Sequence, residues 1–438
     1  MRRIIGSGAA ALLIALVAPG CSPSQGTAVQ EKPAGTAIVD QKPVTVTVGI
    51  NTGGYLNEEE FKRYITDPVH KKYPWITIER VLYDKGRSTR ELVAIGETPD
   101  ITITNNINGM QGLVDLKIFA PMDDLIKKHN IDLNRIEPEA LEAIKSAMQT
   151  TDLVALPYTR HFAALYYNKD IFDKFGVPYP KDGMTWDDVY ELARKVTRNE
   201  DNVQYRGLEP NYIERPASQL SLPYVDPKTN KSLLNTEPWK RVLSFMEKVH
   251  RIPGNSQIIY GGDANNLFAK NKTLAMLASN NIIFDGNLYK TPDLNWDMVS
   301  YPTWPEAPGL SLRIDEHVLA ITSTSKNRDA AMLAINAVLS DEVQMDMSRQ
   351  GRFSILKDAK IKASYGADMP FMNGKNIGAV SKTTPAKSFV TSKYDNIAAT
   401  AMNNALKDII NNGKDVNTAL RTADETVNQQ IKTAEAGQ

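Results

Sequence analysis

Six asparagines, Asn51, Asn105, Asn106, Asn108, Asn280 and Asn281, fall where short apolar runs end. An amide both donates and accepts hydrogen bonds, so a cluster of amides matches the rim of a polyhydroxylated ligand, while aromatic rings match its C–H faces. Rings are available in Tyr55, Tyr158, Tyr260, Trp296, Tyr301 and Trp304. Any single Asn is equally well explained as a turn former. As a set at the carboxyl ends of strands, where open α/β sheets bind ligands, the six point to a binding rim. Asp315, Glu316 and His317 precede a further apolar run, where they either reach the same rim or form a solvated turn.

Bond-breaking chemistry has less support. The chain holds no His-Glu-x-x-His, no Gly-x-Ser-x-Gly, no Gly-Lys-Ser/Thr phosphate loop and no EF-hand pattern. Its histidines, at 70, 129, 161, 250 and 317, lack metal-ligand spacing, and its single cysteine excludes internal disulfides and a Cys-based zinc site. No metal and no cofactor is expected. Asp187 and Asp188 are adjacent carboxylates, but neighbouring helix positions point apart, and Asp188 is spaced to cap a helix from Thr185. A glycosidase needs two facing carboxylates about 5 to 10 Å apart, and nothing in the arrangement of the 51 acidic residues suggests such a pair. Those acids are balanced by 51 basic residues with no basic stripe, so nucleic acid is not an expected partner.

The stretch LPYTRHFAALYYNKD (156–170) concentrates aromatic rings with Arg160 and His161 inside what otherwise reads as a buried strand. Tyr166 and Tyr167 are neighbours, a pattern also used by ferric-ion receptors. Strand alternation sends one ring to each face, which fits core packing with one cleft contact better.

The elements that must position these residues alternate. A Val/Thr strand at 44–50 leads to a helix capped by Asn57, and strands at 76–83 and 100–104 flank a helix at 88–95. This β-α-β-α-β order predicts a mainly parallel sheet. A second series follows with helices at 186–196 and from Thr236, strands at 273–278 and 317–321, a helix at 327–339, and two long helices after 394 separated by Asn411, Asn412 and Gly413. Two α/β lobes are expected.

Arg2 and Arg3 precede an apolar run at 4–18, shorter than the roughly 20 residues of a membrane-spanning helix and shaped like a signal peptide. It ends at Ala18, Pro19, Gly20 and Cys21, which resembles a lipobox. The Ser-, Pro- and Gly-rich stretch to 41 reads as a tether. Two acyl chains on Cys21 would suffice for stable anchoring.

In order along the chain, the lipobox-like start, TPDI (98–101), LYYNKD (165–170), MTWDD (184–188), FAKNKTLAM (268–276) and SKNRDAA (325–331) resemble the bacterial extracellular solute-binding proteins of the maltose-binding-protein class, the lipoprotein receptors of carbohydrate ABC importers. The resemblance implies an α/β fold of the two-lobe, type II periplasmic-binding-protein kind, its lobes joined by crossing hinge strands at about 156–162 and 299–303. It divides the chain into a signal peptide at 1–20, lipidated Cys21 and tether to 42, lobe one at 43–157 plus 304–355, and lobe two at 158–303 plus 356–438. Carried over by position, the implied ligand contacts are Asn51, Thr52, Asn105, Asn106, Asn108, Arg160, His161, Ser279, Asn280 and Asn281. Tyr158, Tyr301 and Trp304 stand near the crossings, and Glu316 near the cleft. Ile282 stands where many relatives carry a stacking tryptophan.

The implied activity is capture of a mono- or oligosaccharide, without catalysis, by a monomer that is lipid-anchored on the extracytoplasmic face of the cell membrane and delivers to ABC permease subunits. A glycan-cleaving enzyme and a receptor for a non-sugar solute are the alternatives, with a cationic ligand disfavoured by the amides, Arg160 and His161. Whether Arg160 and His161 meet an acidic group such as a uronate is left open by the residues.

Overall fold

In the computed structural model, which describes residues 41–51, 56–82, 87–107, 109–285 and 288–436, the Val/Thr alternation after position 43 becomes a strand that buries Val46 and Val48 completely. The strands are β1 (Val44–Ile50), β2 (Ile76–Val81), β3 (Ile101–Asn105), β4 (Leu156–Arg160), β5 (Ala163–Asn168), β6 (Arg198–Glu200), β7 (Val203–Glu209), β8 (Leu274–Asn280), β9 (Trp296–Ser300), β10 (Leu310–Arg313), β11 (Glu316–Ile321), β12 (Phe353–Ser354) and β13 (Thr384–Ala386). They form one sheet in the order β12-β4-β11-β3-β1-β2, a second in the order β6-β7-β8-β5-β9, and a separate β10-β13 pair.

The three strands of the first β-α-β-α-β series pair in parallel as expected, but both larger sheets are mixed overall. β1 runs parallel to β2 and β3, but β11 is antiparallel to β3 and β4. In the second sheet β5 is antiparallel to β8 and β9. β5 and β11 each follow a passage between strand sets, so each enters its sheet from the opposite end. Only His161 and Phe162 separate β4 from β5, and only Ile314 and Asp315 separate β10 from β11.

Local signals set the helices. Asn57 and Glu60, Ser88 and Glu91, and Thr185 and Asp188 each form a reciprocal capping box that satisfies backbone donors at a helix start. The helix Trp186–Val196 buries Trp186, Val189, Leu192, Ala193 and Val196, the stripe expected of a 3.6-residue period. Asp188 serves the cap, while Asp187 points away to Lys248 at 2.9 Å. Helix Asp395–Asn412 ends at Gly413, whose φ of 69° is the left-handed conformation glycine adopts without strain.

Two main cores lie beneath the two sheets. Val46, Ile103, Leu156, Tyr158, Ile314 and Leu319 belong to the first, and Ala163, Trp186, Tyr301, Trp304 and Leu312 to the second. The segment from β9 through Leu312 therefore packs with the second lobe, and the return lies at Ile314 and Asp315, later in the chain than the expected 299–303. The two helices Asp395–Asn412 and Val416–Ala436 also pack on the second core. Among the described residues no helix is long and apolar enough to cross a membrane. The expected signal peptide and Cys21 lie outside the described residues, as do Thr52, Tyr55 and Asn108.

Candidate functional site

Strand register brings the first set of candidates to one edge. Asn105 stands opposite His317, and Arg160 opposite Glu316, so the carboxyl ends of β3 and β4 lie beside the start of β11. Asn51 joins them by donating its N–H to the Ile103 carbonyl at 2.9 Å. Most of these side chains are occupied. Asn51 Oδ1 accepts the Thr89 hydroxyl at 2.8 Å, and Asn105 Oδ1 accepts the Gly109 N–H at 2.7 Å. Gly109 passes so close that a Cβ there would lie 2.0 Å from Thr104 Oγ1. Asn106 is buried, donating to the Ile314 carbonyl at 3.2 Å and accepting from the Glu316 N–H at 3.0 Å. It fastens the crossing segment to the sheet.

Arg160 is likewise committed. Its guanidinium donates to both carboxylate oxygens of Glu137, at 2.8 and 3.3 Å, and lies 4.4 Å from the centre of the Phe353 ring. Lys362 closes on the same carboxylate. His161, half-buried, donates its backbone N–H to the Asp315 carbonyl at 2.8 Å and sets its ring edge-to-face on His317, 5.0 Å between centres.

Glu316 and His317 are fully buried, which corrects the reading of a solvated turn and removes Glu316 from direct ligand contact. Neither Glu316 carboxyl oxygen has a hydrogen-bond partner among the described residues. Burial, helped by the nearby Asp315 charge, pushes its pKa well above the ordinary carboxylate range. Burial also holds His317 well below its usual value, keeping the ring neutral.

The second lobe supplies the opposite rim, at the ends of β7 and β8 and the start of β5. Asn280 is half-buried with its amide nitrogen unpaired among the described residues. Its neighbours are more deeply set: Ser279 accepts from Asn211 Nδ2 at 3.1 Å, and Asn281 accepts the Ile283 N–H at 3.0 Å while meeting the Tyr365 hydroxyl at 3.4 Å. Sequence reasoning missed Asn211, although Pro210-Asn211 at the end of a strand is a turn signal. With φ of 69°, its side chain accepts from the Tyr212 and Gly261 N–H groups, at 3.0 and 3.1 Å. That organises a partly exposed ring pair, Tyr212 and Tyr260, with centres 4.6 Å apart.

The three preferred aromatics are not presented to a ligand. Tyr158 is 1% exposed in the first core, and Tyr301 and Trp304 are 0% and 5% exposed in the second. Tyr301 packs edge-on against Trp186, and Trp304 donates its indole N–H to the Pro216 carbonyl at 2.9 Å. Tyr166 and Tyr167 do take opposite faces, but each ring is buried in a core, so neither makes the expected cleft contact. Ile282 is buried as well.

One narrow cleft touches both crossings and the second rim. Its polar lining includes Arg160, His161, Arg215, Asn280, Arg313 and Asp315. Among the described residues no group of His, Cys, Asp or Glu is arranged to hold a metal ion.

Residues 59–345 match the family model of the bacterial extracellular solute-binding proteins. An ABC substrate-binding protein from Listeria monocytogenes, solved in complex with cycloalternan, superposes with a TM-score of 0.68 at 17% identity, covering 89% of this chain and 99% of that one. The sugar-binding protein MalE from Xanthomonas citri gives 0.68 at 17% identity, over 90% and 98% of the two chains. At such identities the likeness shows the fold. A stretch of 80 residues is 33% identical to the sn-glycerol-3-phosphate-binding periplasmic protein UgpB of Agrobacterium fabrum, spanning only 18% of either chain.

Proposed function

This chain belongs to the bacterial extracellular solute-binding proteins, and on that premise we propose that it is the saccharide receptor of an ABC importer. The family sets its place of action outside the cytoplasm. The observation that carries the saccharide reading is the meeting of strand ends from both lobes around one cavity, with Asn280, His161 and the arginines at its wall and a tyrosine pair on the second rim. Amide and guanidinium groups suit the lone pairs and hydroxyls of a sugar, and tyrosine rings suit its C–H faces. The saccharide named with the Listeria structure and the sugar-binding description of the Xanthomonas protein support the same reading.

The chain holds its ligand between the lobes and closes by bending at His161 and Phe162 and at Ile314 and Asp315, where two residues link strands of different sheets. Diacylated Cys21 tethers it to the membrane surface, and the closed monomer delivers to ABC permease subunits. Incubation with a glycan library, followed by mass spectrometry of the bound fraction and the supernatant, tests this. A receptor retains intact glycan at one per chain. Release of shortened products contradicts it.

A further inference from the structure

Arg160 is neutralised by Glu137, but Arg215 and Arg313 at the wall of the same cavity are not spoken for. Neither guanidinium makes a hydrogen bond or ion pair among the described residues. Arg215 Nε is buried without a partner, and the Arg313 guanidinium lies 4.6 Å from the centre of the Phe389 ring. That ring offers no acceptor in the plane of the guanidinium N–H groups. Asp315 also lines the cavity, and Glu214 and Asp395 lie within electrostatic range of Arg313. Burial raises the pKa of both Glu214 and Asp395, the latter to about 6. None of these carboxyls hydrogen-bonds to either guanidinium among the described residues, so the unmet demand is for acceptors.

A guanidinium presents donors only, in a planar fork whose best complement is an oxyanion that accepts two parallel N–H bonds. A sugar hydroxyl accepts at one point and carries no charge, so it meets the fork more weakly than the two oxygens of one oxyanion. From this geometry we infer that the cleft takes a saccharide bearing an oxyanion, a uronate carboxylate or a sulfate or phosphate ester, held between Arg215 and Arg313. Asn280 and His161 are placed on the same wall to take the neighbouring hydroxyls. The inference rests on the saccharide reading and deepens it.

Calorimetry with the purified chain compares galacturonate and glucuronate oligomers with their neutral galactose and glucose parents, and with galactose 6-sulfate and glucose 6-phosphate. Acidic members should bind at least about tenfold tighter, as one charge-assisted hydrogen bond of about 1.5–3 kcal/mol allows. The uronate, sulfate and phosphate arms identify the oxyanion. Arg313→Gln and, separately, Arg215→Gln should abolish that preference, lowering affinity for the acidic sugars at least about tenfold more than for their neutral parents, and Arg313→Lys should restore part of it. Thermal melts of each variant separate loss of binding from loss of fold, and either arginine alone suffices for the test. Neutral sugars binding as tightly as acidic ones would overturn the inference and leave the receptor standing. If no saccharide of either kind binds, both fall together.

Discussion

At the first rim, Asn51 accepts the Thr89 hydroxyl, Asn105 the Gly109 amide and Asn106 the Glu316 amide, while Arg160 is gripped by Glu137. Across the cavity, the Asn280 amide nitrogen and the guanidinium groups of Arg215 and Arg313 have no such partners among the described residues. Similar side chains thus serve two purposes. One rim spends its polar groups on fixing loops and crossings, and the other keeps them available. Unfilled donors around a cavity carry a desolvation cost that only a ligand or water removes, so the second rim is where specificity should reside.

Substitutions can break this contrast. Glu137→Ala leaves Arg160 buried without its carboxylate, and chemical denaturation should show a loss of about 3–5 kcal/mol. A loss below about 1 kcal/mol would mean that the first rim is less rigid than its contacts imply. Asn106→Ala removes both bonds that hold the start of β11 and should cost about 1–3 kcal/mol by the same assay.

Glu316→Gln tests the buried, unpartnered carboxyl. Its raised pKa means the folded state holds a proton that the unfolded chain releases, so stability is fully present below the unfolded value and falls as pH rises toward the folded one. Melting temperature measured from pH 5 to pH 8 should decline less in the variant, which should be the more stable form at pH 8. An unchanged pH profile would show that Glu316 is ionised in the fold.

Asn280→Ala sharpens the contrast from the other side. It should change stability by no more than about 0.5 kcal/mol, as for a site outside the core, while lowering saccharide affinity about tenfold by calorimetry.

Much of this architecture was legible in the chain. The Val/Thr alternation at 44–50, the Thr185 and Asp188 box and the Gly413 stop are local signals with local causes, and each stands where the residues indicated. The site was legible only as a set. Asn106 and Asn280 carry the same strand-end signal, yet one is covered by the crossing segment and the other is not, a difference made by residues far away in sequence. Arg215 and Arg313 carried no signal, because their meeting depends on how β10 and the segment after β7 pack. Tyr301 and Trp304 misled because the chain stays with the second lobe for another stretch before it crosses.

The central claim is that a saccharide sits between these two rims. Hydrogen-exchange mass spectrometry of the chain, with and without a saturating saccharide, tests it most directly. Exchange should slow at 160–163, 279–281 and 313–316 together, with smaller slowing near Asn51 and Asn105. Saturating binding that leaves all of these unchanged and slows exchange elsewhere would contradict it.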